Sequence, residues 1–469
     1  MQAVARVFTR VAERYLPDAF VFLFFITVIV FVLGMLQGSG PVEVVGFWGD
    51  GFFELLEFTM QVTLFVVLGF ALASTPPVSR ALRALARLPR GEVQVIIVTV
   101  LVMMVCSWIS YGFGLVAGAI VAREMGIVHR GEVHYPLIVA SSYAGFLVWH
   151  AGYSGSIPLL IATEDHFLAE EMGVVPVTET LFAPTTLLIL AGLVLVVPLT
   201  MVLMRPRDPA ERVDIPEDVI AEAHADDDRS SGEGSSGEAS SEEGSDEENT
   251  GGESRSPGIA AGQKPISVRL EEMRAIPLIL GALGLAYIVL FFAQGGTLDI
   301  NIAIFSFLTL GLLLVPSARR YLDSLSNGAR TAYGIIIQYP FYAGILGIMT
   351  GTGLVTTIAN FFAGFSTAGT LPFWAFISGG IVNFFVPSGG GQWAVQGPVM
   401  VEAAAQLGAS ETDTAMGVAW GDAWTNMVQP FWTLPLLAIA GLSIRDIMGY
   451  TAVVLIVSGV VIGGGLLLF

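Results

Sequence analysis

An aspartate, a histidine and a set of small polar residues interrupt otherwise apolar runs in this 469-residue sequence. Asp422 lies within segment 412–440, far from any loop, where a carboxylate is costly and is kept for a use. It would ligate a cation or carry a proton; the alternative is a helix N-cap accepting backbone N–H groups. His150, in segment 135–163, would relay a proton, because imidazole titrates near neutrality. The alternative is a hydrogen-bonded core histidine. Asn426 and Ser388 join Asp422 as candidate ligands of a coupling ion. Ser110, Ser154, Ser156, Ser388, Thr425, Asn426 and Gln429 supply neutral donors and acceptors. They suit a carboxylate and a Na⁺-like cation without a permanent countercharge, although each alone is equally interhelical hydrogen-bond glue. Gly112, Gly155, Gly389, Gly390, Gln392 and Trp393 complete the candidate ligand-binding set. Gly389, Gly390 and Gly391 permit a φ-positive turn or a close backbone approach. Trp149, Trp393 and Trp424 either wall an acyl-sized pocket or pack helices together.

Enzyme chemistry finds no foothold in the sequence. It contains no HExxH, no GxSxG elbow and no P-loop, and His150 with Ser154 lacks a third member. The single cysteine, Cys106, excludes an intrachain disulfide and a cysteine metal cluster. No catalytic residue, cofactor, structural metal or nucleic-acid partner is expected; a bound Na⁺ is the one ligand ion considered. Without an ATP motif, any uphill step must draw on a gradient.

The elements that hold these residues follow from composition. Hydrophobic residues make up 54% of the chain and charged residues 13%, about half the charged share of a soluble protein. Mean hydropathy is +0.73, and apolar runs near 20 residues recur, which indicates a multi-pass helical protein of the cell (plasma) membrane, with the lipid bilayer as a partner. Net charge is −19. Residues 208–255 hold 17 acidic residues against 3 arginines, so −14 of it belongs to one insert. That Ser-, Gly- and Glu-rich stretch reads as an acidic disordered cytoplasmic linker over 208–262, joining a first membrane half (1–207) to a second (263–469).

Arginines set the direction of the spans. Arg6, Arg10 and Arg14 precede the first apolar run and place the N-terminus in the cytoplasm. Alternating loops then put the C-terminus outside. Segments near 93–122 and 371–407 have short arms around polar, glycine-rich tips and read as re-entrant hairpins. Segments 135–163 and 412–440 read as broken helices. The expectation is an all-α polytopic membrane protein of about nine transmembrane helices plus two hairpins, with two spans broken. Charge bias gives the halves opposite orientation, an inverted-topology repeat whose site lies at the breaks near the midplane.

Several runs carry a resemblance: Trp48-Gly49-Asp50-Gly51-Phe52, Tyr153-Ser154-Gly155-Ser156, Val386-Pro387-Ser388-Gly389-Gly390-Gly391, Gln396-Gly397-Pro398 and Gln429-Pro430-Phe431-Trp432. With Arg14-Tyr15-Leu16-Pro17-Asp18 and Ile444-Arg445-Asp446-Ile447-Met448-Gly449-Tyr450, the sequence resembles the short-chain fatty acid transporter family over nearly all of the chain outside the insert. The resemblance implies uptake of small monocarboxylates such as butyrate and acetoacetate, by symport with Na⁺ or H⁺. It also implies a homodimer with an elevator motion, since the family is grouped with the ion-transporter superfamily. The family pattern would place Gly, His and Glu where this chain carries His150, Gln392 and Asp422. The competing reading is a cation/proton exchanger with no organic substrate.

Overall fold

The computed structural model describes residues 19–223, 265–384, 386–429 and 431–468. The arginines of residues 1–17 and most of the acidic insert lie outside the described residues, as do Phe385 and Pro430 at the breaks. The described chain is all helical. Its first half holds α1 (Ala19–Leu36), α2 (Pro41–Gly51), α3 (Leu56–Ala73), α4 (Pro76–Ala86), α5 (Glu92–Ile109), α6 (Tyr111–Val128), α7 (Tyr135–Gly145), α8 (Ser156–Leu160) and α9 (Pro184–Leu203). The second half holds α10 (Ala275–Ala293), α11 (Ile300–Leu314), α12 (Ala318–Gly351), α13 (Leu354–Phe365), α14 (Leu371–Asn383), α15 (Gly389–Leu407), α16 (Glu411–Thr425), α17 (Leu434–Ala440) and α18 (Ile444–Leu468). Among the described residues, seven helices are long and apolar enough to cross a membrane. Helix is the form a chain adopts where no water serves its backbone.

Local chemistry marks the helix starts. Proline occupies the first turn of α2, α4, α7, α9 and α14, where its missing N–H costs nothing. Asp299 and Ser410 cap α11 and α16, accepting from Ile302 N at 2.9 Å and Asp413 N at 3.0 Å.

Helices α1, α2, α3, α11 and α12 pack as one group, with α10 on α11; α5, α6, α7 and α9 pack with α18 as another, which α16 joins through the 3-10 turn Phe146–Ala151. The groups meet where α3 crosses α6. There a Cβ on Gly69 would lie 2.7 Å from Ser110 Oγ, and one on Gly112 would lie 3.1 Å from Val66 O. Glycine is what permits that backbone approach.

Helices α5 and α6 form an antiparallel pair turning at Ser110. Gly114 faces Ser107 and Gly118 faces Met103 across it, at added-Cβ distances of 2.6 and 2.3 Å. Its arms run 18 residues each, longer than segment 93–122 allows, because α6 continues past Arg123 with Met125 fully buried. Helix α12 is continuous for 34 residues and includes the arginine-bearing stretch before residue 332.

The first residues of the stretch expected as linker lie among the described residues. From Asp208 to Ala223 the chain is packed as a strap, with Ile215, Val219 and Ala223 buried at helical spacing. Tyr135 N donates to Val213 O at 2.9 Å, Val213 N donates to His134 Nδ1 at 3.0 Å, and Gly131 N donates to Asp214 Oδ1 at 2.8 Å. Arg212 pairs with Glu92 at 3.1 Å, and Arg130 pairs with Glu217. The apolar residues in this acidic stretch were too few to read as an anchor from sequence.

Candidate functional site

Four interruptions converge in the interior. The first broken helix runs through α7, the 3-10 turn Phe146–Ala151 and α8. The second runs through α16, the 3-10 turn Asn426–Val428 and α17. His150 and Asp422, 272 residues apart in sequence, meet with Nε2 3.0 Å from Oδ2, and both side chains are wholly buried. Asp422 lies in the last turn of α16, ahead of the break. It is therefore not an N-cap, and its carboxylate engages an imidazole instead of backbone N–H groups.

The tip between α14 and α15 presses onto this pair. A Cβ on Gly389 would lie 2.4 Å from His150 Nε2 and 2.9 Å from Ser156 Oγ. None of Gly389, Gly390 and Gly391 has positive φ, so close approach, not turn geometry, requires them. Gly390 abuts Phe58 and Tyr339, with added-Cβ distances of 2.5 Å to Phe58 Cζ and 2.8 Å to Tyr339 Oη. Ser388 Oγ and Tyr339 Oη share a hydrogen bond of 2.9 Å. The structure thus brings His150, Ser156, Gly389 and Asp422 together, with Ser388 and Gly390 against α3 and α12.

Asn383, which sequence reasoning left without a role, organises the other side of Asp422. Its Nδ2 lies 2.9 Å from each of Asp422 O, Thr425 Oγ1 and Asn426 Oδ1. An amide nitrogen has two hydrogens, so three acceptors exceed what it can satisfy. Tyr143 Oη donates to Asn426 O at 2.8 Å. The available signals were an Asn closing an apolar run, for Asn383, and Gln338-Tyr339-Pro340 inside a helix, for Tyr339.

The tip between α5 and α6 is held differently. Ser110 caps α6, accepting from Phe113 N at 3.3 Å, and Ser154 Oγ accepts from Tyr111 N at 2.7 Å. Gly155 lets the chain fold back, since its Cβ would lie 2.5 Å from His150 O. A narrow void lined by Tyr111, Ser154, Gly155 and Ser156 lies between this tip, α3 and α11. Gln392 points into its own hairpin, donating to Gly379 O at 2.9 Å and Gln396 Oε1 at 3.0 Å. Trp393 is fully buried and stacks over Gly397, at an added-Cβ distance of 2.8 Å. Trp424 donates to Leu455 O of α18 at 2.6 Å, which makes it a helix-packing residue. Gln429 is buried just beyond the 3-10 turn of the second break. Trp149 lies against His150, with ring centroids 3.7 Å apart.

Among the described residues, four polar atoms of the His150–Asp422 pair and the two asparagines beside it lack a hydrogen-bond partner: His150 Nδ1, Asp422 Oδ1, Asn383 Oδ1 and Asn426 Nδ2. Each costs about 1–3 kcal/mol when left so. No cluster of three or more His, Cys, Asp or Glu exists among the described residues. The oxygens around Asn383 are carbonyl, hydroxyl and amide, and all three face its amide nitrogen.

A family profile described as short chain fatty acid transporter matches residues 1–246 and 253–469. The chain belongs to the short-chain fatty acid transporter family. A protein of Escherichia coli (strain K12) named for short-chain fatty acid transport is 39% identical over 468 residues, covering 99% of each chain. One of Haemophilus influenzae (strain ATCC 51907 / DSM 11121 / KW20 / Rd) with the same name is 34% identical over 462 residues, covering 97% of this chain and 96% of its own. In fold, the chain is similar to the crystal structure of the Alcanivorax borkumensis YdaH transporter. The TM-score is 0.54 at 15% identity, over 96% of this chain and 98% of that one. The resemblance read from the motifs is thereby borne out. This family member is a multi-pass membrane transporter, not an enzyme.

Proposed function

We propose that the protein takes up short-chain fatty acids or related small monocarboxylates, of the butyrate and acetoacetate type, coupled to a Na⁺ or H⁺ gradient. The observation that carries this reading is the fully buried His150–Asp422 pair, sealed beneath Gly389. A substrate carboxylate cannot share so dry a site with a bare Asp422 carboxylate, because like charges repel strongly there. A cation or proton that cancels the Asp422 charge removes the repulsion, which is the physical basis of symport. The glycines at the N-terminus of α15 bring backbone N–H groups and the positive helix end to the same spot, where an anion is favoured. Ser156, Ser388 and Gly390 would hold the carboxylate; Asp422, Thr425, Asn426 and Asn383 would hold the ion.

Paired breaks in two halves of opposite charge bias support an inverted repeat with elevator-like alternating access. The N-terminus then faces the cytoplasm and the C-terminus the exterior, and the working unit is a homodimer. Reconstitution tests the proposal. Labelled butyrate or acetoacetate should accumulate in proteoliposomes under an imposed Na⁺ or pH gradient, and the gradient that drives accumulation names the ion. Dissipation of the gradient with no labelled uptake would replace this reading with cation/proton exchange.

A further inference from the structure

The arginine-bearing end of the molecule holds a cavity of about 610 Å³, lined by none of the residues of the His150–Asp422 centre. It lies between the start of α4 and the start of α12, and Arg80, Arg83 and Arg320 line it. Ser74, Ser79 and Ser324 line it too, with Asp323 as the single acidic group. The guanidiniums of Arg80 and Arg320 against one carboxylate leave a surplus of positive charge. Two helix N-termini add their partial positive ends.

The guanidiniums of Arg80 and Arg320 are not consumed by the fold. Arg80 donates Nε to Pro76 O at 3.1 Å, which leaves its two terminal nitrogens. Arg83 Nη2 rests on Ser79 Oγ at 3.1 Å. Among the described residues, neither Arg80, Arg320 nor Asp323 forms an ion pair. The hydroxyl protons are spent locally: Ser74 on Phe70 O at 3.0 Å, and Ser324 on Arg320 O at 3.0 Å. Their lone pairs do not attract an anion, so recognition falls to the arginines.

Arginine forks match phosphate oxygens two at a time. The volume falls within the range of small-ligand sites and exceeds what one inorganic ion fills. The cavity also lies where the apolar helices α3 and α11 end, at Ala73 and Leu314, the level at which headgroups meet basic pockets. We propose that this cavity binds a phosphate-bearing anion, either the headgroup of an anionic phospholipid or a free phosphate compound.

The test uses the full-length protein, stripped of lipid in detergent. Native mass spectrometry would count phosphatidylglycerol and phosphatidylcholine retained by wild type, Arg80→Ala, Arg320→Ala and the double variant. Thermal unfolding with added inorganic phosphate forms the second arm. Wild type should prefer phosphatidylglycerol and lose about fivefold in retention per arginine removed, which identifies the headgroup. Stabilisation by inorganic phosphate with equal lipid retention, lost in the double variant, identifies a soluble ligand. Asp323→Asn should strengthen whichever binding is seen, and Arg80→Lys with Arg320→Lys should retain part of it, which separates charge from misfolding. Equal lipid retention and equal phosphate response in wild type, double variant and Asp323→Asn would overturn the proposal.

Discussion

Replacing Asp422 by Asn removes a charge while keeping the shape of the side chain. The geometry gives the size of the effect. The tip glycine Gly389 sits 2.4 Å, measured from its added Cβ, from His150 Nε2, and that nitrogen is 3.0 Å from Asp422 Oδ2. A substrate carboxylate at the tip would therefore stand about 5–6 Å from the Asp422 carboxylate, and at an effective dielectric constant of about 20 two such charges repel by about 3 kcal/mol. That repulsion is about a hundredfold in affinity. In wild type, the coupling ion should raise substrate affinity by about that factor. In Asp422→Asn the repulsion is gone, so affinity should stay near the ion-loaded wild-type value whatever the ion concentration. Exchange of labelled for unlabelled substrate should persist, whereas gradient-driven accumulation should be lost. Substrate binding and proteoliposome uptake, each measured across ion concentrations, read both effects. A folded Asp422→Asn protein that keeps wild-type ion dependence and accumulation would refute the assignment.

Gly389→Ala should abolish uptake and lower stability by about 1–3 kcal/mol, the cost of overpacking a filled interior, because its methyl meets His150 and Ser156. Gly364→Ala, with open space around it, should do neither; uptake and thermal unfolding compare the two. The strap at 208–223 should loosen in acid. Burial holds His134 below its ordinary value of 6.5, so the unlatched state binds the proton more readily. The latch is complete above about pH 6.5 and weakens as pH falls towards the depressed folded-state value. Protease cleavage of the strap should accelerate on mild acidification, and a flat rate would contradict the latch. In a Cys106→Ala background, Ser236→Cys should react with an impermeant thiol reagent only after the cells are opened. Labelling of intact cells would reverse the proposed orientation.

Much of the helical framework was legible because hydropathy and punctuation act locally. The run 19–36 appears as one helix, α1, and 354–365 as another, α13, since apolar length and flanking turn residues decide both. The interruptions at 146–155, 384–388 and 426–433 were legible for the same reason: glycine, proline and polar residues crowd within apolar segments. The continuity of α12 was not legible. Its first turns, rich in Arg, Ser and Asn, resemble a surface segment, and only packing of the later turns against α3 carries the helix through. The strap was missed because Ile215 and Val219 are sparse among acids, and their burial depends on contacts with Gly126 and Gly441, remote in sequence.

The centre shows the sharper limit. Asp422 and His150 were each visible as residues out of place, but nothing local pairs positions 272 apart. Taken alone, each kept a bland alternative: a helix cap for the aspartate, a satisfied core residue for the histidine. The pairing removes the first and changes the second, since His150 bonds through Nε2 while Nδ1 has no partner among the described residues. The same holds for Asp422 Oδ1, Asn383 Oδ1 and Asn426 Nδ2. Elsewhere the chain returns the hydroxyls of Thr59, Thr63 and Thr99 to helical carbonyls. Buried polar atoms without a partner occur elsewhere too, Ser107 Oγ and Glu92 Oε1 among them, but here four gather around one carboxylate–imidazole pair, at about 1–3 kcal/mol each. A site that must accept a proton or cation, and release it again, needs polar atoms that the fold has not already satisfied.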